Sequence, residues 1–294
     1  MLLPTFHSHT NASESLVILS WNVQNYTLAD RYQYDRYQRE YPKPEVEKSA
    51  LRAVVAELAP DVLLLQEIGG EEFLRELVID LRKQQSLDYP YFACVDAQDK
   101  ERKLGLISKI PFEWIDHELN AGKTFQYLGK DESLKRGLLE VRVRIGDREL
   151  TLMEMHLKSR ITSDEADPNA DTLREKEARL IRDYIRGQLA GEPDRAVLLF
   201  GDLNDYPDSA PYRRLTEVSG QRLLTELEVQ DSRGEVWTYY YRKQRRYEQI
   251  DYVFLSPSLG DQNLWQLEAT IMGGQSVTTA SDHRPILLNV KTLP

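Results

Sequence analysis

Short apolar runs separated by polar turns fill the chain, and two periodicities sort them. Strands are predicted at Leu16–Ser20, Asp61–Gln66, Tyr91–Val95, Leu104–Ser108, Leu138–Ile145, Glu149–His156 and Ala196–Phe200. Further strands follow at Val236–Tyr241, Gln249–Leu255, Leu267–Met272 and Ile286–Val290. "VLLLQ" and "AVLLF" are continuously apolar, as in strands covered on both faces. "LEVRVRI" alternates, sending Leu139, Val141, Val143 and Ile145 to one face and Glu140, Arg142 and Arg144 to the other. Helical spacing appears between Pro44 and Pro60, over 71–85, and over 173–189. Many strands with few helices predict two packed sheets covered by helices. The tract 161–172, "ITSDEADPNADT", reads as an acidic loop.

Six of the strand regions carry polar residues where an apolar run ends or is broken. They are "VILSWNVQN" with Asn22, "VLLLQE" with Glu67, "LTLMEMHLKS" with His156, "VLLFGDLND" with Asp202 and Asn204, "YEQIDYVFL" with Asp251, and "SDHRP" with Asp282 and His283. A half-buried carboxylate is costly unless paired or metal-bound. One such residue reads as a turn; six in one setting read as a site. Asn, Glu and Asp are hard oxygen ligands, suited to magnesium or manganese rather than copper or structural zinc. Histidines beside them can orient, donate protons or stabilise negative charge. Together they are the means for attack by water on phosphorus.

Composition narrows this picture. The chain has 294 residues, 41% hydrophobic and 29% charged, enough to bury a sizeable core. No apolar run approaches the roughly 20 residues of a membrane span. The single cysteine, Cys94, excludes an internal disulfide and a thiolate metal cluster. The first fifteen residues are expected to be flexible, and 16–294 to form one domain. They show no basic flank or long apolar stretch, so a cytoplasmic monomer is expected unless a leader has been removed. The net charge of −10 argues against tight binding of long nucleic acid through many phosphates.

"SWNVQN", "LLLQE", "HLKS", "GDLND", "IDYVF" and "SDHRP", in that order, resemble the endonuclease/exonuclease/phosphatase superfamily over roughly 16–291. That superfamily includes pancreatic deoxyribonuclease, abasic-site endonucleases, bacterial sphingomyelinases and inositol-polyphosphate phosphatases. The resemblance implies an α+β fold, a four-layer αββα sandwich of two mainly antiparallel sheets flanked by helices. It implies one or two magnesium or manganese ions on Asn22, Glu67 and Asp282. Asp202 then activates water, Asn204 positions it, Asp251 orients His283, and His156 assists at the phosphate. "WCDR" is absent and "LQE" continues "IGG" rather than "TK", so the resemblance is to a generic bacterial-type member and supplies no substrate. The expected activity is metal-dependent hydrolysis of a phosphodiester, in nucleic acid or a smaller phosphoester. The alternatives are a phosphomonoesterase acting on a small phosphorylated molecule or lipid headgroup, and a non-catalytic phosphate-binding module.

Lys158, Ser159 and Arg160 follow His156 directly, and Arg136 precedes a strand; all four are candidate phosphate contacts. The tract 25–44 interleaves Tyr26, Tyr32, Tyr34, Tyr37 and Tyr41 with Arg31, Arg36 and Arg39. Such interleaving suits bases and phosphates, but the favoured reading is a loop that packs its rings on the sandwich and leaves its arginines in water. "RKQRR" from Arg242 reads as a hairpin tip. His7 and His9 sit in the terminus, and His117 is expected to be exposed.

Overall fold

The computed structural model describes residues 14–293. Two six-stranded sheets make its centre. The first runs Trp265–Ile271, Ile286–Thr292, Ser15–Tyr26, Val62–Ile68, Lys103–Ser108 and Tyr91–Cys94. The second runs Thr225–Glu226, Asp251–Leu255, Val197–Asp202, Arg148–His156, Leu138–Ile145 and Glu113–Trp114. Each holds one parallel pair, Ser15–Tyr26 with Val62–Ile68 and Arg148–His156 with Val197–Asp202. The other neighbours are antiparallel.

Helices α1 (Glu45–Leu58), α2 (Glu71–Gln85) and α5 (Gln275–Ala280) bury Leu51, Val55, Leu77 and Val277 against Leu19, Trp21, Leu63 and Leu65 of the first sheet. Helices α3 (Asp171–Gly191) and α4 (Ala210–Thr216) bury Ile181, Ile185 and Leu215 against Met153, Met155, Leu199 and Phe254 of the second. This is the αββα sandwich of four layers. No described helix is long and apolar enough to cross a membrane.

The period-two alternation of strands fills the layer between the sheets. Leu16, Ile18, Val62, Leu64, Leu150, Leu152, Leu198, Phe200, Val253 and Leu255 belong to this core. Continuing two residues at a time along the same faces reaches Ser20 and Asn22, Gln66, Glu154 and His156, and Asp202; the other direction along the last strand reaches Asp251. Here the interior turns polar. Gln66 donates to Ser20 Oγ at 3.0 Å and to the fully buried Glu154, linking the two sheets beneath the site. Burial holds the Glu154 carboxyl well above its usual range, which favours the uncharged form.

Several residues at this end depart from ordinary backbone, Gln24 and Asn25 among them. Glu67 follows a break in the strand register at φ 64, and Asn204 sits at φ 54. Gly201 has φ 134, and a Cβ there would run into the backbone carbonyl of Met155 on the neighbouring strand.

Two expectations change. The tract 25–44 is a hairpin, Ala29–Gln33 paired with Arg36–Tyr41, and only Tyr26 among its five tyrosines is fully buried. Tyr32, Tyr34 and Tyr37 are 68%, 76% and 63% exposed, because the short hairpin turns one face outward. Arg31 instead turns inward to the carbonyls of Asn25 and Tyr41. His117 is half-buried rather than exposed, its ring 4.9 Å from that of Tyr184 on α3, and burial lowers its pKa. "RKQRR" does form a tip, between Tyr239–Tyr241 and Arg246–Glu248. Residues 1–13, with His7 and His9, lie outside the described residues. Glu14 O accepts from Thr292 N at 2.9 Å, and Ser15 opens the first strand.

Gly201→Ala is expected to destabilise the protein by at least about 2 kcal/mol, combining left-handed strain with a backbone clash. Denaturant unfolding measures it, and a change within error of zero would mean that this strand pair can move apart freely.

Candidate active site

Asn22, Glu67, His156, Asp202, Asn204, Asp251, Asp282 and His283 all gather at the polar end of the sandwich. Asn22, buried, donates from Nδ2 to Asp202 Oδ2 at 3.0 Å and to Glu67 Oε1 at 3.4 Å, while its oxygen accepts from Gln24 N at 3.0 Å. Glu67 is held by the Asn25 amide at 2.8 Å. His156 Nε2 lies 3.5 Å from Asp202 Oδ2 and 4.0 Å from Glu67 Oε1. Asn204 donates its backbone N–H to Asp202 Oδ1 at 2.7 Å and its side-chain amide to Leu157 O at 3.0 Å. The "GDLND" turn thus fixes the carboxylate that it presents.

The last segment is pinned to the first strand. Ser281 Oγ donates to Asn22 O at 2.7 Å and accepts from His283 N at 3.1 Å, and Trp21 Nε1 donates to His283 O at 3.0 Å. Arg284 anchors the same loop to Met272 O, Trp237 O and, at 2.7 Å, Asp231 Oδ2. His283 Nδ1 meets Asp251 Oδ2 at 2.9 Å, and Nε2 lies 3.8 Å from Asp202 Oδ2. The Tyr239 ring packs 4.7 Å from the imidazole.

Charge follows this geometry. Burial alone would lower the His283 pKa, but the adjacent Asp251 carboxylate, with Asp202 and Asp282 beyond, raises it to about 10. Asp202 is raised to about 7, first by burial and then by Asp251. His156 is pushed well down, first by burial and then by Arg136, and stays neutral. Asp282 is raised by burial, and the Glu67 charge adds to the shift.

Among the described residues, the ligand atoms of Asp202, Asp251 and His283 lie within 4.8 Å of one another. A cation at this group would have to displace the His283 proton, which Asp251 holds. A cation held by Glu67 and Asp282 would displace no such proton, and the nearby charges of His283 and Lys43 only partly offset the burial that raises the Asp282 pKa. Asn22 sits beside them with its amide nitrogen turned inward and would have to rotate to offer its oxygen.

A cleft of about 860 Å³ opens over this floor. Arg102, Lys135, Arg136, Lys158, Arg160 and Arg246 line it, against the acids Glu67, Asp99, Asp202 and Asp282. Of the four predicted phosphate contacts, two are already committed. Arg136 bonds Leu157 O at 2.9 Å and Asp99 at 3.2 Å, and Arg160 bonds Glu248 and Tyr206. Lys158 has only neutral acceptors, Ser159 O at 3.0 Å, Ser159 Oγ at 3.3 Å and Ile161 O at 2.5 Å. Burial, then Arg136, lowers its pKa to about 8.

Sequence reading missed Glu177 and Arg174, both buried on α3. Glu177 accepts the backbone amides of Lys135 at 3.0 Å and Lys158 at 2.8 Å, fixing two walls of the cleft. Arg174 ties Lys158 O to Asp205. Their signal was available: Glu177 falls between Leu173 and Ile181 on one helical stripe.

The chain matches the model of the endonuclease/exonuclease/phosphatase family over residues 19–283. No curated protein matches it in sequence. Solved structures share the fold. Truncated Caenorhabditis elegans TDP2 superposes with a TM-score of 0.61 at 18% identity, covering 94% of this chain and 98% of that one. The human Nocturnin catalytic domain with bound sulfate gives 0.61 at 14%, covering 96% of each. Beta toxin 275-280 from Staphylococcus aureus gives 0.62 at 17%, covering 93% and 99%.

Because the folded His283 pKa exceeds the ordinary imidazole value of 6.5, the dyad's stabilisation is complete below about 6.5 and is lost as pH rises through about 10. Asp251→Asn is expected to drop the His283 pKa by several units in the metal-free protein and to flatten stability between pH 7 and 10. NMR titration of the imidazole reads the first effect and thermal unfolding the second. A His283 pKa still near 10 in the variant would show that Asp251 is not what charges it.

Proposed function

The chain belongs to the endonuclease/exonuclease/phosphatase family, and we propose that residues 16–294 act as one domain that hydrolyses a phosphodiester by direct attack of water. The family comprises metal-dependent nucleases, phosphodiesterases and phosphatases. The observation that carries the reading is a pair of opposite character on one cleft floor: Asp202, with a pKa near 7, and the charged His283, 3.8 Å apart. A carboxylate titrating near neutrality is suited to take a proton from water. An imidazolium beside it is suited to meet the negative charge that grows on phosphoryl oxygens.

Glu67 and Asp282, with Asn22, would hold a divalent cation of the magnesium or manganese type. When bound, it would neutralise phosphoryl charge and polarise the phosphorus centre. Asp202 accepts the water proton while Asn204 N–H holds its Oδ1 in place. Water oxygen bonds to phosphorus, one P–O ester bond breaks, and the departing oxygen takes a proton from solvent water, giving a phosphomonoester and an alcohol while Asp202 returns its proton to solvent. His283 stays charged through its bond to Asp251, and neutral His156 adds a polar contact at the same carboxylate. Lys158, the one cation lining the cleft that has no carboxylate ion pair among the described residues, is placed to receive a phosphate oxygen.

The same lysine favours the second reading, a phosphomonoesterase, since a dianion needs more positive charge. Two matched aryl substrates separate them: bis-nitrophenyl phosphate and nitrophenyl phosphate, each with magnesium, manganese or EDTA. The diester is expected to be turned over faster with metal and neither without it. A tenfold preference for the monoester would replace the diester reading, and no hydrolysis of either ester or of plasmid DNA would remove the hydrolase.

Glu67→Gln keeps the shape but removes a charge from a hard-cation ligand. Turnover is expected to fall by at least about 100-fold, an interaction of roughly 3 kcal/mol. The rise in Tm on adding magnesium should shrink with it. Near-normal turnover and an unchanged Tm response would take Glu67 out of the cation site.

A further inference from the structure

The hairpin Ala29–Tyr41 lies beside the cleft and has no role in the chemistry above. Its inner positions, Ala29, Arg31, Gln33 and Gln38, are half-buried, whereas Asp30, Tyr32, Tyr37 and Arg39 face solvent. Tyr32 and Tyr37 are direct cross-strand partners, and both rings are exposed on the open face. The Tyr37 hydroxyl donates to Asp30 Oδ2 at 2.5 Å, which fixes that ring. Tyr34 projects from the tip. It has φ 54 and Asp35 has φ 58, the left-handed pair that a two-residue turn requires and that Asn-Gly fills most easily. A bulky exposed ring in that conformation is strained, and nothing in the packing compensates it.

The hairpin is joined to the catalytic floor. Arg31 donates to Asn25 O, and Asn25 N donates to Glu67 Oε2 at 2.8 Å. The cleft-lining Asn25 is thus bonded to both the hairpin and Glu67, which sets the base of the hairpin next to the cleft.

We propose that this hairpin is a stacking surface for the bases of a single-stranded nucleic acid whose backbone enters the cleft. The proposal deepens the hydrolase reading and rests on it only for the place of the scissile phosphate. The two surfaces divide the ligand's chemistry: six cations line the cleft for phosphates, and the hairpin offers uncharged π-faces for bases. The hairpin itself carries Asp30, Asp35 and Glu40 against Arg31, Arg36 and Arg39, so it is neutral. Stacking tolerates that neutrality. Adsorption to an anionic bilayer does not, on a chain of net charge −10.

The test compares wild type with Tyr32→Ala and Tyr34→Asn, using fluorescence anisotropy of a labelled phosphorothioate oligothymidine with magnesium. Each substitution is expected to weaken binding roughly fivefold or more, with turnover of bis-nitrophenyl phosphate unchanged. Tyr34→Asn should also raise the Tm, since Asn accepts the left-handed conformation, so its weaker binding cannot come from lost stability. Unchanged affinity in both variants overturns the proposal, as does a wild type that ignores the oligonucleotide but binds vesicles of mixed zwitterionic and anionic lipid. Loss of affinity in the variants with no ester hydrolysis by wild type would uphold the stacking surface and remove the hydrolase reading.

Discussion

The layer between the two sheets changes from apolar to polar along its length, and the candidate chemistry depends on that change. Each strand alternates faces, so the residues that continue an apolar row point into the same interior. Leu16 and Ile18 lead to Ser20 and Asn22, Leu150 and Leu152 to Glu154 and His156, and Leu198 and Phe200 to Asp202. The strands that carry them come from distant parts of the chain, and pairing brings their ends level: Asn22 lies opposite Gln66, and Asp202 lies opposite both His156 and Asp251. A shift of one residue in any of these registers would turn the polar end outward. The same hydrophobic core that holds the sheets together therefore aims the site.

Placing these groups together has an electrostatic cost. Asp202, Asp251, Glu67 and Asp282 bring four carboxylates, and His283 supplies one positive charge through its pairing with Asp251. Burial first, and then the neighbouring carboxylates, raise Asp202 to about 7 and also raise Asp282. Both shifts favour a bound cation, which would replace protons with a fixed charge. The basic cleft above is the counterpart for an anionic ligand, although the whole chain is acidic.

Much of this was legible in the sequence because a polar residue at the end of an apolar run is a visible break in pattern. The eight residues gathered at the polar end follow from that signal, the three long helices from their apolar stripes, and the four-layer sandwich from the family resemblance. What stayed hidden depends on where elements dock. Arg174 looks like the solvated side of a charged helix until α3 covers the second sheet, whereas Glu177 stands on the apolar stripe yet reads as one more surface charge. His117 looks exposed until the Tyr184 ring lies against it. The tyrosines of 25–44 were expected against the sandwich, since burying a side chain of that size is worth roughly 2 kcal/mol. No propensity reveals that the chain folds them outward. Asn22 is the reverse case, found by its position yet turned so that its nitrogen faces the carboxylates.

The central claim is that a divalent cation belongs between Glu67 and Asp282 and leaves the Asp251–His283 pair intact. Crystals grown with manganese, measured for anomalous scattering, locate the ion directly. The account predicts the strongest peak within bonding distance of the Glu67 and Asp282 carboxylates, with Asp251 still bonded to His283 Nδ1. A peak centred on Asp202, Asp251 and His283, with that bond broken, would contradict it.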